Sequence, residues 1–291
     1  MRDSNTPQLP VVVGIDGSQA AIQAAEWAID EAVSREVPLR LVQVIPQQVE
    51  PAPFASVGNV RMELECAEAA LNMAADAVAA QGKPVKVETA ILRGDPAVTL
   101  IAESRDAEMV CVGSVGIGRF ARALLGSTAA ELAEAAYCPV AIIRTQQHRP
   151  KPDTALIVVA VNDSAGNDNV VERAMEEAQL RHTPVLALGE WRQDLGEMPY
   201  DVLDRRVGSW ARRYPSVKIH AAATRTGIAD FVDVLDRRIQ LAVIGSADID
   251  QLTRLIGPHR HPILGHAECS VLIVRPNADT RNTQATINDR K

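Results

Sequence analysis

The residues best suited to chemistry follow an apolar run, MVCVG. They read GSVGIGRFARALLGST, residues 113–128, with glycines at 113, 116, 118 and 126, then Ser127 and Thr128. Glycine lets successive backbone N–H groups converge on one point, because no Cβ stands in the way. A helix beginning at Gly126–Ser127 adds unpaired N–H donors and the positive end of its dipole. The hydroxyls of Ser127 and Thr128 can donate to phosphate oxygens. Such a stretch is suited to holding an anion.

Two further residues would extend that anion site to a whole nucleotide. Asp16 ends LPVVVGID, residues 9–16, and its carboxylate can accept from ribose hydroxyls. Val44 lies at the end of LRLVQVI, residues 39–45. Its backbone can bond an adenine edge while its side chain packs on the ring. In open parallel sheets, ligands bind beyond the carboxyl ends of the strands, where the strand order reverses. Asp16, Val44 and the glycine loop all fall at such ends.

The elements that must position them alternate in type. LPVVVGID is a continuous apolar strand, as expected where both faces are covered. Ser18 caps a helix with Ile22, Ala25, Ile29, Ala32 and Val33 near one face. Pro38 turns the chain into the second strand, and residues 46–58 read as a loop. A helix over roughly 60–81 ends at Gly82 and Pro84. VKVETAIL is the third strand. RGDP then opens a helix, with Asp95 as cap and Pro96 at its first position. EMVCVG is the fourth strand, a helix follows near 127–136, and PVAIIR is the fifth strand.

After TQQHRPKPD, residues 145–153, the pattern restarts. LIVVAVNDS resembles VVVGIDGS, TPVLALGE resembles VPLRLVQV, KIHAAA matches the third strand, LAVIGS matches MVCVGS, and CSVLIV matches CPVAII. The chain therefore reads as two tandem α/β domains, each doubly wound with a five-stranded parallel sheet. The boundaries are 9–145, a linker at 146–153, a second domain at 154–276 and a polar tail at 277–291.

Bulk composition bounds the partners. Apolar residues make up 47% and charged residues 23%, which excludes a disordered chain. The net charge of -7 argues against nucleic acid and anionic membranes as partners. No apolar run approaches the ~18 residues a membrane helix needs. The start MRDSNTPQLP has no apolar signal core, so a cytoplasmic location is expected. The four cysteines form no CxxC and read as buried free thiols.

The glycine spacing, placed after a fourth strand with Asp16 at the first, resembles the universal stress proteins of the tandem two-domain kind. Their ATP-binding members carry a glycine, two residues, a glycine, nine residues, then glycine and serine or threonine. Gly113, Gly116, Gly126 and Ser127 match this, with nine residues from Ile117 to Leu125 between. VVVGIDGS, LVQVIP, RGDP and CPVAII extend the resemblance over residues 9–145. It implies the fold shared with adenine nucleotide alpha hydrolases, ATP with Mg2+ as ligand, and a regulatory role in stress adaptation. Asp16 and Val44 would sit at the adenosine; Gly113, Gly116, Gly126, Ser127 and Thr128 would sit along the phosphates. The family also implies pairing through the last strands, as a homodimer or between the two domains, and an unknown regulatory protein partner.

Two other functions use the same pocket or none. A slow ATPase or phosphotransferase needs a group to position water, and Asp16 is the one candidate. A dimeric scaffold without ligand needs only protein contacts. No Ser/His/Asp or Cys/His arrangement is in place for nucleophilic catalysis. HRHPILGHAEC holds His259, His261, His266 and Cys269, but the spacing fits no standard zinc site, so no metal site is expected. Arg119 and Arg122 read as solvated rather than as phosphate ligands.

The second repeat departs from the pattern. Asn162 stands where Asp16 does, and the loop reads GSADIDQLTRLIGPH. Asp248 falls near the position of Gly116 and opposes a phosphate. Pro258 replaces Ser127 and removes an N–H donor and a hydroxyl. Isothermal titration with ATP is expected to give a single site per chain; two equivalent sites would refute the loss of the second.

Overall fold

The computed structural model describes residues 8–47, 57–116, 125–144, 155–162, 164, 166–190, 199–224, 228–235, 239–256 and 269–275. The chain divides into two compact units, built mainly on residues 1–148 and 149–291.

The first unit runs β1 (Val11–Ile15), α1 (Gln19–Arg35), β2 (Leu39–Ile45), α2 (Val57–Ala80), β3 (Val87–Arg93), α3 (Pro96–Glu103), β4 (Met109–Gly113), α4 (Ser127–Ala135) and β5 (Val140–Ile143). Its strand order is β3-β2-β1-β4-β5, and every ladder between them is parallel. Successive connections run outward from β1 in one direction and then from β4 in the other. The crevice between β1 and β4 is therefore the switch point at which such sheets bind ligands.

Continuous burial explains the apolar runs. Val11, Val13, Met109, Val110, Cys111, Val140, Ala141 and Ile142 are wholly buried, as strands covered on both faces must be. Alanines at 24, 25, 28 and 32 let α1 lie close on the sheet. Ser18 caps α1 by accepting from the Ala21 N–H at 3.1 Å. Asp95 caps α3 by accepting from both Ala97 and Val98, with Pro96 following. The expected thiol burial holds for Cys111, Cys138 and Cys269, but Cys66 is exposed on α2. Helical spacing places Cys66 off the face that α2 buries through Ala67, Ala70, Leu71 and Ala74.

The second unit repeats the plan. It runs β6 (Leu156–Val161), α5 (Asn167–Arg181), β7 (Val185–Glu190), α6 (Pro199–Arg213), β8 (Ile219–Thr224), α7 (Ile228–Leu235), β9 (Ile239–Gly245), α8 (Leu252–Ile256) and β10 (Ser270–Val274). The order is β10-β9-β6-β7-β8; the β6–β7, β6–β9 and β7–β8 ladders are parallel. The α/β class with two tandem doubly wound units is thus the architecture observed.

The double cap of Asp95 matters because α3 carries Pro96 and Leu100 toward the crevice. Asp95→Ala is expected to lower stability by about 1 kcal/mol. The shift in the midpoint of urea unfolding measures it.

Candidate functional site

The geometry begins at the turn after β1. Gly17 has φ +84°, a left-handed conformation that suits glycine. The turn brings the Ser18 N–H to Asp16 Oδ1 at 3.0 Å, fixing the carboxylate at the strand end. The other carboxylate oxygen rests against the loop after β4. A Cβ built on Gly116 would lie 2.2 Å from Asp16 Oδ2. Gly116 is therefore glycine because the carboxylate occupies that space.

Gly113 has a different reason. A Cβ there would stand 2.7 Å from Ala20 Cβ and 2.8 Å from the Ala20 carbonyl carbon. Its bareness lets the first turn of α1 pack on the end of β4, a need that holds with or without a ligand. Gly126 needs no such space: its nearest neighbour would be 3.6 Å away. It serves as N-cap of α4 in extended conformation and supplies no side-chain cap. Among the described residues, the first turn of α4, which lines the crevice at Ser127 and Thr128, has no side-chain acceptor.

Two hydrogen bonds hold the loop's ends. Ser114 donates its N–H to Ile143 O at 2.8 Å, and its carbonyl accepts from the Gly126 N–H at 2.8 Å. Ser114 itself is buried. Gly118, Arg119 and Arg122 lie outside the described residues, as do His148, His259, His261, His266 and Pro258.

All of Asp16, Val44, Gly113, Gly116, Gly126, Ser127 and Thr128 line one cavity of about 650 Å³. That volume lies within the range of small-molecule sites. Gly14, Val42, Leu100, Val112 and Leu125 supply apolar walls. Among its described lining residues there is no lysine or arginine. Several lining residues escaped sequence reasoning, Leu100, Pro46 and Gln43 among them. Leu100 reaches the wall from α3, and Pro46 from the chain after β2. Gln43 also lines it, and its Oε1 is buried without a hydrogen-bond partner. The one signal for Gln43 was a polar residue inside an apolar strand run.

The corresponding end of the second unit differs. A 3-10 helix over Ser246–Gln251 follows β9 directly. Asp248, at the place of Gly116, turns back so that its Oδ2 accepts from the Gly245 N–H at 3.3 Å. The cavity lined by Gly245, Asp248 and Arg275 measures about 40 Å³. Among the described residues, no group of three or more His, Cys, Asp or Glu could hold a metal ion. No helix among them is long and apolar enough to cross a membrane.

Fold and site define the first unit as a doubly wound α/β domain with a crevice at its switch point. The family described as "Universal stress protein family" matches residues 9–144. Universal stress protein Rv2624c of Mycobacterium tuberculosis is 51% identical over 265 residues, covering 91% of this chain and 96% of that protein. Universal stress protein Rv2028c of the same organism is 38% identical over 277 residues, covering 94% and 98%. Among solved structures, a universal stress protein from Archaeoglobus fulgidus aligns over 93% of this chain and 97% of its own. Its TM-score is 0.66 at 18% identity, a likeness of fold. The chain belongs to the universal stress protein family.

The two loop glycines separate in their expected effects. Gly113→Ala meets backbone and is expected to destabilise by about 1–3 kcal/mol. Gly116→Ala meets only the end of a side chain, so its cost is expected to stay below about 1 kcal/mol while Asp16 is displaced. Urea unfolding of both variants checks the order.

Proposed function

We propose that the first unit, residues 9–145, binds an adenine nucleotide, ATP with Mg2+, and that binding serves a regulatory role in stress adaptation. One observation carries the reading: an anion-ready helix start, a fixed carboxylate and apolar walls converge on one cavity of nucleotide size. Asp16 and Val44 take the adenosine, through the ribose hydroxyls and the base. Gly113, Gly116, Gly126, Ser127 and Thr128 lie along the phosphates.

Mg2+ fits the same observations. The described lining offers phosphate no cationic side chain. In this reading Mg2+ shares the neutralisation of phosphate charge with the α4 dipole. Binding can act as a switch by mass action. At about a hundred times its dissociation constant, a ligand stabilises the state it prefers by roughly 2.7 kcal/mol. The second domain, residues 154–276, has a degenerate site. The reading places the protein in the cytoplasm, with a regulatory protein as partner. Pairing through the apolar last strands, between units or between two chains, belongs to it too.

Thermal unfolding with and without ATP and Mg2+ tests the reading, together with assay of adenine nucleotide released on denaturing protein purified from cells. A rise in midpoint that is reduced by chelating Mg2+ is expected. Asp16→Ala is expected to weaken binding by about ten- to a hundredfold, the value of a hydrogen bond to a charged group. Absence of both nucleotide and thermal shift would overturn the proposal in favour of a ligand-free scaffold.

A further inference from the structure

The strand end in the second unit that matches Asp16 is occupied by the chain itself. Arg206, on α6, donates from Nη1 to the Asn162 carbonyl at 3.0 Å. Its Nη2 donates to Asn167 Oδ1 at 3.2 Å and to Asp168 Oδ1 at 2.8 Å. The guanidinium carbon lies 5.2 Å from the centre of the Trp210 ring, within cation–π range. Three oxygen acceptors and an aromatic face thus surround one planar cation.

The acceptors are themselves held. Asn167 is only 3% exposed. Its Nδ2 donates to Ala160 O at 2.9 Å, and its Oδ1 also accepts from the Asn162 N–H at 3.2 Å. The Asn162 side chain accepts from the Ser164 N–H at 3.0 Å, repeating the turn that Asp16 makes. Asp168 is 86% exposed, so its ion pair with Arg206 contributes little. The specificity lies in Asn162 O and Asn167 Oδ1, two acceptors that the two Nη atoms of one guanidinium reach together. A lysine, with one nitrogen, cannot reproduce that fork.

We propose that the carboxyl end of β6 is a guanidinium site, and that Arg206 fills it as an internal ligand. The second unit is self-liganded: α6 is latched to the strand end with no small molecule required. The proposal stands on the second unit alone and does not depend on nucleotide binding by the first.

Hydrogen exchange on the full chain tests it. In Arg206→Ala, the amides of α6 and of Asn162 are expected to exchange about tenfold faster or more, with those of the first unit unchanged. Ethylguanidinium at a non-denaturing concentration is expected to restore protection in that variant but to leave the wild type unaffected. Tetramethylammonium, a cation without N–H groups, is expected to restore nothing. Unchanged exchange in α6, or an equal response to the two cations, would overturn the proposal. Arg206→Lys keeps the charge and loses the fork, so it carries the test if the alanine variant does not fold. Faster exchange in α6 supports the site, and wild-type protection refutes it.

Discussion

The carboxylate of Asp16 and the missing Cβ of Gly116 share one space. One oxygen is tied to the Ser18 N–H at 3.0 Å, and the other sits where a side chain at Gly116 would begin. That contact joins the turn after β1 to the loop after β4 across the switch point. On the far side, Ser114 bonds both Ile143 and Gly126. The loop is thus gripped from two directions before it leaves and when it returns. The position of α4, and of its uncapped first turn, follows from these two grips.

The duplication separates scaffold from site. Both units turn from first strand to first helix on a short acceptor side chain, Asp16 or Asn162, that takes the N–H two residues on. Both helices bury a glutamate completely, Glu31 and Glu177, and pair it with an arginine one turn later, Arg35 and Arg181. Both end on a non-glycine residue in the left-handed region, Glu36 at φ 57° and His182 at φ 51°. What recurs in a unit whose cavity has shrunk belongs to the fold. What differs, Gly116 against Asp248 and Ala21 against Asn167, coincides with the difference in cavity volume between the units.

Period and punctuation made the strands, the Ser18 and Asp95 caps and the start of α4 legible in the sequence, because each depends on neighbours within a few residues. That the seven residues proposed for the site line one cavity was legible for a related reason: strand ends of one parallel sheet must converge. Features set by neighbours in space were not. Gly113 reads as a phosphate glycine, yet its bareness answers to Ala20, far away in sequence. Nothing local in the sequence marks Glu31 and Glu177 for burial, and only the fold shows them inside with Arg35 and Arg181 beside them. Such buried pairs add little net stability, since desolvation offsets their attraction, but losing one partner leaves an uncompensated charge.

The two units answer one conflict in opposite ways. A fold stabilises itself by satisfying its buried polar groups internally. A binding site must leave some of them for the ligand to satisfy. In the second unit, Asn167 takes the N–H of Asn162, Arg206 takes its carbonyl, and Asp248 takes the N–H of Gly245. In the first unit, Ala21 offers only a methyl group at the place of Asn167, and among the described residues no side chain caps α4. Gln43 keeps a buried oxygen without a partner beside the same cavity. The second unit's strand end is closed by its own side chains, whereas the same place in the first unit opens on a cavity of about 650 Å³.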